Sequence, residues 1–165
     1  MLKQTQGNKG TGELQLVIFQ LGNEEYGIDI LKVQEIKRMM EITRVPNAPP
    51  FIEGVINLRG QIIPVLDLRR RFKLTAGERT DNSRIMVVNV GELTVGMIVD
   101  VVLEVISLPV EDISPAPSIV TGVNSQFLDG IGKVEERLLI IINPQRVLEV
   151  TELDELQELT EDITE

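Results

Sequence analysis

Histidine, cysteine and tryptophan are all missing from this chain. Without His or Cys there is no ordinary general base, no Ser-His or Cys-His pair and no usual transition-metal ligand set. The same gap excludes a disulfide framework and fits a reducing compartment. Aromatics make up only 3% of residues, so the core must be built mostly from Val, Ile and Leu, a composition that favours strands. No apolar run approaches the length of a membrane span and no basic stretch leads into an N-terminal apolar one. The expectation is a soluble, cytoplasmic chain without membrane insertion. Nucleophile-elbow, Walker A and EF-hand patterns are absent, and Gly130-Ile131-Gly132 lacks the third Gly of a dinucleotide site. No cofactor is expected. Acid pairs could serve a small hydrolase, the competing class. Yet Glu24-Glu25, Glu111-Asp112 and Glu135-Glu136 sit at turn-like positions and read as solvated surface.

What the chain has is 165 residues, 42% of them hydrophobic, and a net charge of -10. That charge is unevenly placed. The last 17 residues, EVTELDELQELTEDITE, hold eight acids and no base, leaving the body close to neutral. An acidic balance argues against nucleic acid as a partner. Leu153, Leu156, Leu159 and Ile163 recur at helical spacing in this tail. Acids without basic partners make a lone helix marginal, so residues 150–165 are expected to be a flexible acidic tail, with a partner-docked helix as the alternative. Residues 1–12 are polar and Gly-rich, a second loose end.

The organising stretch is FIEGVINLRGQIIPVLDLRRRF, Phe51 to Phe72. Two strand-like runs flank Arg59-Gly60, where Gly suits a two-residue turn. That register sets Leu58 against Gln61, Ile56 against Ile63 and Gly54 against Val65. One face then carries Ile56, Leu58, Ile63 and Val65. The other carries Val55, Asn57, Ile62 and Leu66, too apolar to be left in water. Something must therefore cover both faces. Pro64 cannot donate to a ladder and belongs at an edge or bulge. Asp67 reads as the N-cap of a short basic helix from Leu68 to Lys73 whose arginines form its wet face.

The chain also repeats. A shift of 69 residues aligns Gly22 with Gly91, Gly27 with Gly96, Val33 with Val102, Glu35 with Glu104 and Pro46 with Pro115. Gly54-Val55 matches Gly122-Val123 at a shift of 68, and Val65-Leu66-Asp67 matches Ile141-Ile142-Asn143 at 76. Two copies of a small all-β unit of about five strands are expected, at 13–82 and 83–149. Extra residues between Asn124 and Leu138 include Phe127, either a plug in a barrel end or an aromatic presented to a partner.

These residues resemble the CheW-like adaptors of bacterial chemotaxis. The match runs through YGIDILKVQEI (Tyr26 to Ile36), ITRVPNAPPFIEGVINLRGQIIPVLDL (Ile42 to Leu68), GMIVDVVLEVISL (Gly96 to Leu108) and LDGIGKVEERLLIIINPQRVL (Leu128 to Leu148). The resemblance implies an all-β fold of two SH3-like five-stranded β-barrels packed together across an apolar seam. It implies a non-enzymatic adaptor between the helical cytoplasmic tip of a chemoreceptor and the regulatory domain of the histidine kinase CheA, in arrays at the inner membrane face. A related array governing pili or surface behaviour would use the same surfaces. Carried onto this chain, the receptor groove would involve Val33, Glu35, Val55, Asn57, Leu58, Arg59, Ile98, Val99, Asp100 and Val101. The kinase would meet Thr43, Arg44, Val45, Pro46 and Asn47 at one barrel end and Phe127 at the other. Arg59, otherwise a solvated turn residue, would then be a receptor contact held in place by Glu35.

Overall fold

Alternating β-branched residues form most of the architecture. The computed structural model describes residues 12–74, 79–115 and 127–164. Its strands are β1 (Glu13–Leu21), β2 (Glu24–Asp29), β3 (Val33–Arg38), β4 (Gly54–Leu58), β5 (Gln61–Asp67), β6 (Arg84–Val90), β7 (Leu93–Val99), β8 (Val101–Pro109), β9 (Ile113–Ser114), β10 (Leu128–Val134) and β11 (Arg137–Ile142). Among the described residues three helices accompany them: α1 (Leu68–Arg71), α2 (Pro144–Val147) and α3 (Val150–Thr164). A 3-10 turn at Ile30–Lys32 follows β2, capped by the Asp29 carboxylate, which accepts from Leu31 N–H.

One sheet has the order β8-β1-β2-β11-β10-β9 and the other β3-β6-β7-β5-β4. Each curls round its own aliphatic core. Leu16, Ile18, Leu108, Leu139 and Ile141 fill the first. Ile56, Leu58, Ile63, Val65, Ile85, Val87 and Ile98 fill the second. A larger third core lies between the sheets and takes residues from both, including Phe19, Tyr26, Leu66, Met86, Val99 and Ile140. This is the expected pair of barrels with its shared seam. Leu66, from the second face of the hairpin, is part of that seam.

The unit boundaries need correction. Units at 13–82 and 83–149 would each keep their own strands, whereas both sheets here draw on both repeats. β1 and β2 pair with later strands, and β3 crosses to join β6. One sheet is thus built from the contiguous span β3–β7 and the other from the two ends of the chain. The repeat survives in form, since β4 followed by β5 and α1 recurs as β10, β11 and α2. Its alignment shifts, however. A Cβ on Gly54 would strike Thr43 O and, at 2.7 Å, Ile42 Cγ2. One on Gly130 would meet Ser114 O at 2.6 Å and Ile113 Cγ2 at 2.8 Å. The counterpart of Gly54 is therefore Gly130, while Gly122-Val123 lies outside the described residues.

The organising hairpin has the expected register, Gly54↔Val65, Ile56↔Ile63 and Leu58↔Gln61. Pro64 stands where β5 has only one partner, because its pairing with β7 begins at Val65. Asp67 caps α1 by accepting from Arg69 N–H at 2.9 Å. The three arginines of α1 are not a uniformly wet face. Arg69 binds Asp100 and Arg71 binds Glu152, each mostly buried, and Arg70 alone is largely exposed.

The flexible tail is also corrected. Residues Val150–Thr164 form α3, with Leu156 fully buried and Leu153 and Leu159 packed on the shared core. The missing basic partner comes from the body, not from the tail. Arg71 donates to both carboxylate oxygens of Glu152 at 2.8 and 2.6 Å, and Glu152 also accepts from Glu149 N–H. That second bond satisfies a free donor at the helix start.

Candidate functional site: the hairpin rim and the open seam

The turn of the β4–β5 hairpin has positive φ at both central residues, 53° at Arg59 and 85° at Gly60. Gly tolerates this geometry; Arg does so with strain, and Asn or Asp would sit there more easily. Asn57 locks the turn by accepting from Gly60 N–H at 2.9 Å. Arg59 then reaches to the edge strand β3, where both of its terminal nitrogens meet the Glu35 carboxylate, one of them at 3.3 Å. Lys37 lies 3.9 Å from the same carboxylate. The hydrogen bond from Arg59 holds the Glu35 pKa below its ordinary value against the desolvation that would raise it, with the Arg59 and Lys37 charges adding to the lowering. The expected Glu35–Arg59 pair is present, with the Arg59 side chain 68% exposed.

The strands β3 and β8 each form one edge of their sheets, with β4 and β9 at the opposite edges. Ile36 on β3 is partnered by Met86, and Val105 on β8 by Val17, both inner residues belonging to the shared core. Yet Ile36 and Val105 are exposed, Val105 by 51%, and Leu103, the unpaired residue of a bulge in β8, is exposed as well. The apolar seam therefore runs out to solvent along the β3 and β8 edges. Sequence reasoning missed these three residues. Their signal was an apolar position beside Glu35 and two flanking Glu104, in strands otherwise marked by acids.

The other expected groove residues divide. Val33 and Val101 are half-buried and Asn57 is exposed. Val55, Leu58, Ile98 and Val99 are buried and support the rim from within. Asp100 is a structural tie. It accepts from Gly22 N–H at 2.7 Å and from Arg69 at 2.5–3.0 Å, while its own N–H donates to Gln20 O. Burial acts to raise its pKa, but the Arg69 and Gly22 hydrogen bonds outweigh this and leave it lowered.

At the far end of the same sheet, Thr43, Arg44, Pro46 and Asn47 are exposed and Val45 is half-buried. Thr43 exchanges two 2.9 Å backbone bonds with Val55 across the edge of β4. Phe127 differs from the expectation of a presented aromatic. It is 8% exposed, stacks on Phe72 at 5.5 Å and belongs to the shared core. Its side chain is the plug. A further ion cluster, Arg137 with Glu25 at 2.6 Å and Glu104 at 2.9 Å, was not foreseen. Among the described residues no acidic, His or Cys cluster is arranged to hold a metal ion. No helix there is long and apolar enough to cross a membrane.

Comparison with known proteins agrees with this geometry. The CheW-like domain model matches residues 15–152. The chain is similar to the chemotaxis protein CheW of Klebsiella aerogenes, 45% identical over 84% of each chain. It is 40% identical to the chemotaxis protein CheW of Bacillus subtilis over 84% of this chain and 88% of that one. The crystal structure of the scaffolding protein TtCheW from Thermoanaerobacter tengcongensis superposes with a TM-score of 0.79 at 40% identity, covering 86% of this chain and 96% of that one.

Proposed function

The chain belongs to the CheW-like domain family, and on that premise we propose that this chemotaxis adaptor joins a chemoreceptor's helical cytoplasmic tip to the regulatory domain of the histidine kinase CheA. The observation that carries the receptor half is the exposed seam beside the Glu35–Arg59 pair. Ile36 and Val105 would supply apolar contacts for a helix, and a guanidinium in a fixed orientation polar specificity beside Ile36. The kinase would meet the exposed loop Thr43–Asn47, which the paired backbone of Thr43 and Val55 holds in place. Phe127 acts from inside, as support. The role is binding, without a catalytic group, and its setting is the cytoplasmic face of the receptor array.

Purified chain titrated with a receptor-tip fragment and with the kinase regulatory domain tests this. Binding of each alone, and all three components in one complex, is the expected result. Competition between the two partners for one surface would refute the two-surface reading.

A further inference from the structure

Four of the five aromatic residues form one ring-to-ring series, and the fifth, Phe51, joins it through Arg71. Phe19 stacks on Tyr26 at 5.7 Å, Tyr26 meets Phe72 at 5.8 Å, and Phe72 stacks on Phe127 at 5.5 Å. The series ends in the Arg71 guanidinium, 5.7 Å from the Phe127 ring and 5.8 Å from the Phe51 ring. The same guanidinium donates through Nε to Val147 O at 2.7 Å and through both terminal nitrogens to Glu152. One side chain, 15% exposed, therefore joins α2, α3, Phe51 and Phe127. A planar guanidinium can do all of this at once, because its faces stack while its edge donates.

Phe51 closes the loop that begins at Thr43. That loop has few backbone bonds of its own, Ala48 N–H to Val45 O at 3.2 Å and Ile52 N–H to Pro49 O at 3.1 Å. Its ends are tied by the Thr43–Val55 pair and by Glu53 N–H to Val65 O, and the stretch between rests on side-chain packing, where Phe51 meets the shared core and the Arg71 guanidinium. We propose that α3 is a positioning element for the Thr43–Glu53 loop, and that it acts through Glu152 and Arg71. The inference rests on the reading of that loop as the kinase-facing end. The docked helix holds Glu152, Glu152 sets the plane of Arg71, and Arg71 holds Phe51 against the body. A preorganised loop binds more tightly than one that must be ordered on contact. The acidic helix thus tunes kinase affinity from behind the loop.

The test compares full-length wild type with Glu152→Gln and Arg71→Lys by hydrogen exchange of the free protein and by affinity for the kinase regulatory domain and a receptor-tip fragment. Exchange at Ala48 and Ile52 should rise about tenfold or more in both variants, with the amides of β6 and β7 unchanged. A merely structural loss would speed exchange everywhere. Kinase-domain affinity should fall about tenfold, and receptor-tip affinity should hold. Wild-type exchange at Ala48 and Ile52 in both variants would overturn the proposal. Should wild type fail to bind the kinase domain, the functional reading falls, and the exchange rates still decide whether α3 positions the loop.

Discussion

At the scale of single residues, several side chains sit where local preference would not put them. Arg59 occupies a left-handed turn position that Asn would adopt with less strain. Arg59→Asn is therefore expected to melt no lower than wild type while losing receptor-tip affinity, as scanning calorimetry and a binding titration would register. Tyr26 is fully buried, and its hydroxyl makes no well-formed hydrogen bond among the described residues, the Glu24 carboxylate being close enough to act on it without meeting that geometry. Burial, then the nearby Glu24 carboxylate, pushes its pKa upward. An unsatisfied buried hydroxyl destabilises by about 1–3 kcal/mol. Tyr26→Phe should then raise the melting temperature, and a fall of several degrees would show that the hydroxyl is bonded. Asp100 gives the pH prediction. Its folded pKa is lowered from 3.8, so the stability it contributes is present above that value and lost as pH falls through the depressed one. Asp100→Asn should flatten this part of the acid unfolding curve. An unchanged acid limb would contradict the tie to Arg69 and Gly22. The Glu35–Arg59 pair was legible from the turn and the resemblance, but the role of Asp100 was not. Its partners Gly22 and Arg69 are distant in sequence, and only the fold brings them together.

At the scale of elements, the hairpin and α1 could be read from sequence because local chemistry determines them. Arg59-Gly60 makes the turn, the two-residue loop sets the register, and Asp67 caps the helix. The tail could not be read in this way. Its helical period was visible, but the decision between loose and docked turned on Arg71, far upstream, and on room in the shared core for Leu156. Leu156→Ala is accordingly expected to cost about 2–5 kcal/mol, read as a lowered urea midpoint. Truncation after Glu149 should also lower the melting temperature, and unchanged melting in both would mean that α3 is not docked. Gly54 is an element-scale constraint of another kind. Any Cβ there meets the Thr43 backbone, so Gly54→Ala should free the loop from β4 and speed exchange at Thr43 N–H. Wild-type exchange at that amide would contradict the close approach. Phe127 was left open between plug and presented aromatic, and its stacking partner Phe72, distant in sequence, decides for the plug.

At the scale of the molecule, the repeat gave the number of strands but not how the sheets share them. Antiparallel and parallel partners look alike in a Val- and Ile-rich run, so sequence could not show that β3 crosses to β6 or that β11 pairs parallel with β2. The exchange has an energetic consequence. Neither sheet contains one repeat alone, and the shared core takes residues from both, so the molecule should unfold in one step. Ile63→Ala should cost about 2–5 kcal/mol and shift one transition for the whole protein; two calorimetric transitions in wild type would refute this. The same arrangement lets two distant surfaces, the rim at Arg59 and the loop at Thr43–Asn47, be held by one body, as an adaptor requires. The most direct test is co-assembly of receptor-tip fragment, chain and kinase regulatory domain, comparing wild type with Arg59→Glu and with Glu35→Arg plus Arg59→Glu. The account predicts wild-type melting and kinase-domain binding by Arg59→Glu, loss of the three-component complex, and partial recovery in the double variant. A normal three-component complex formed by Arg59→Glu alone would contradict it.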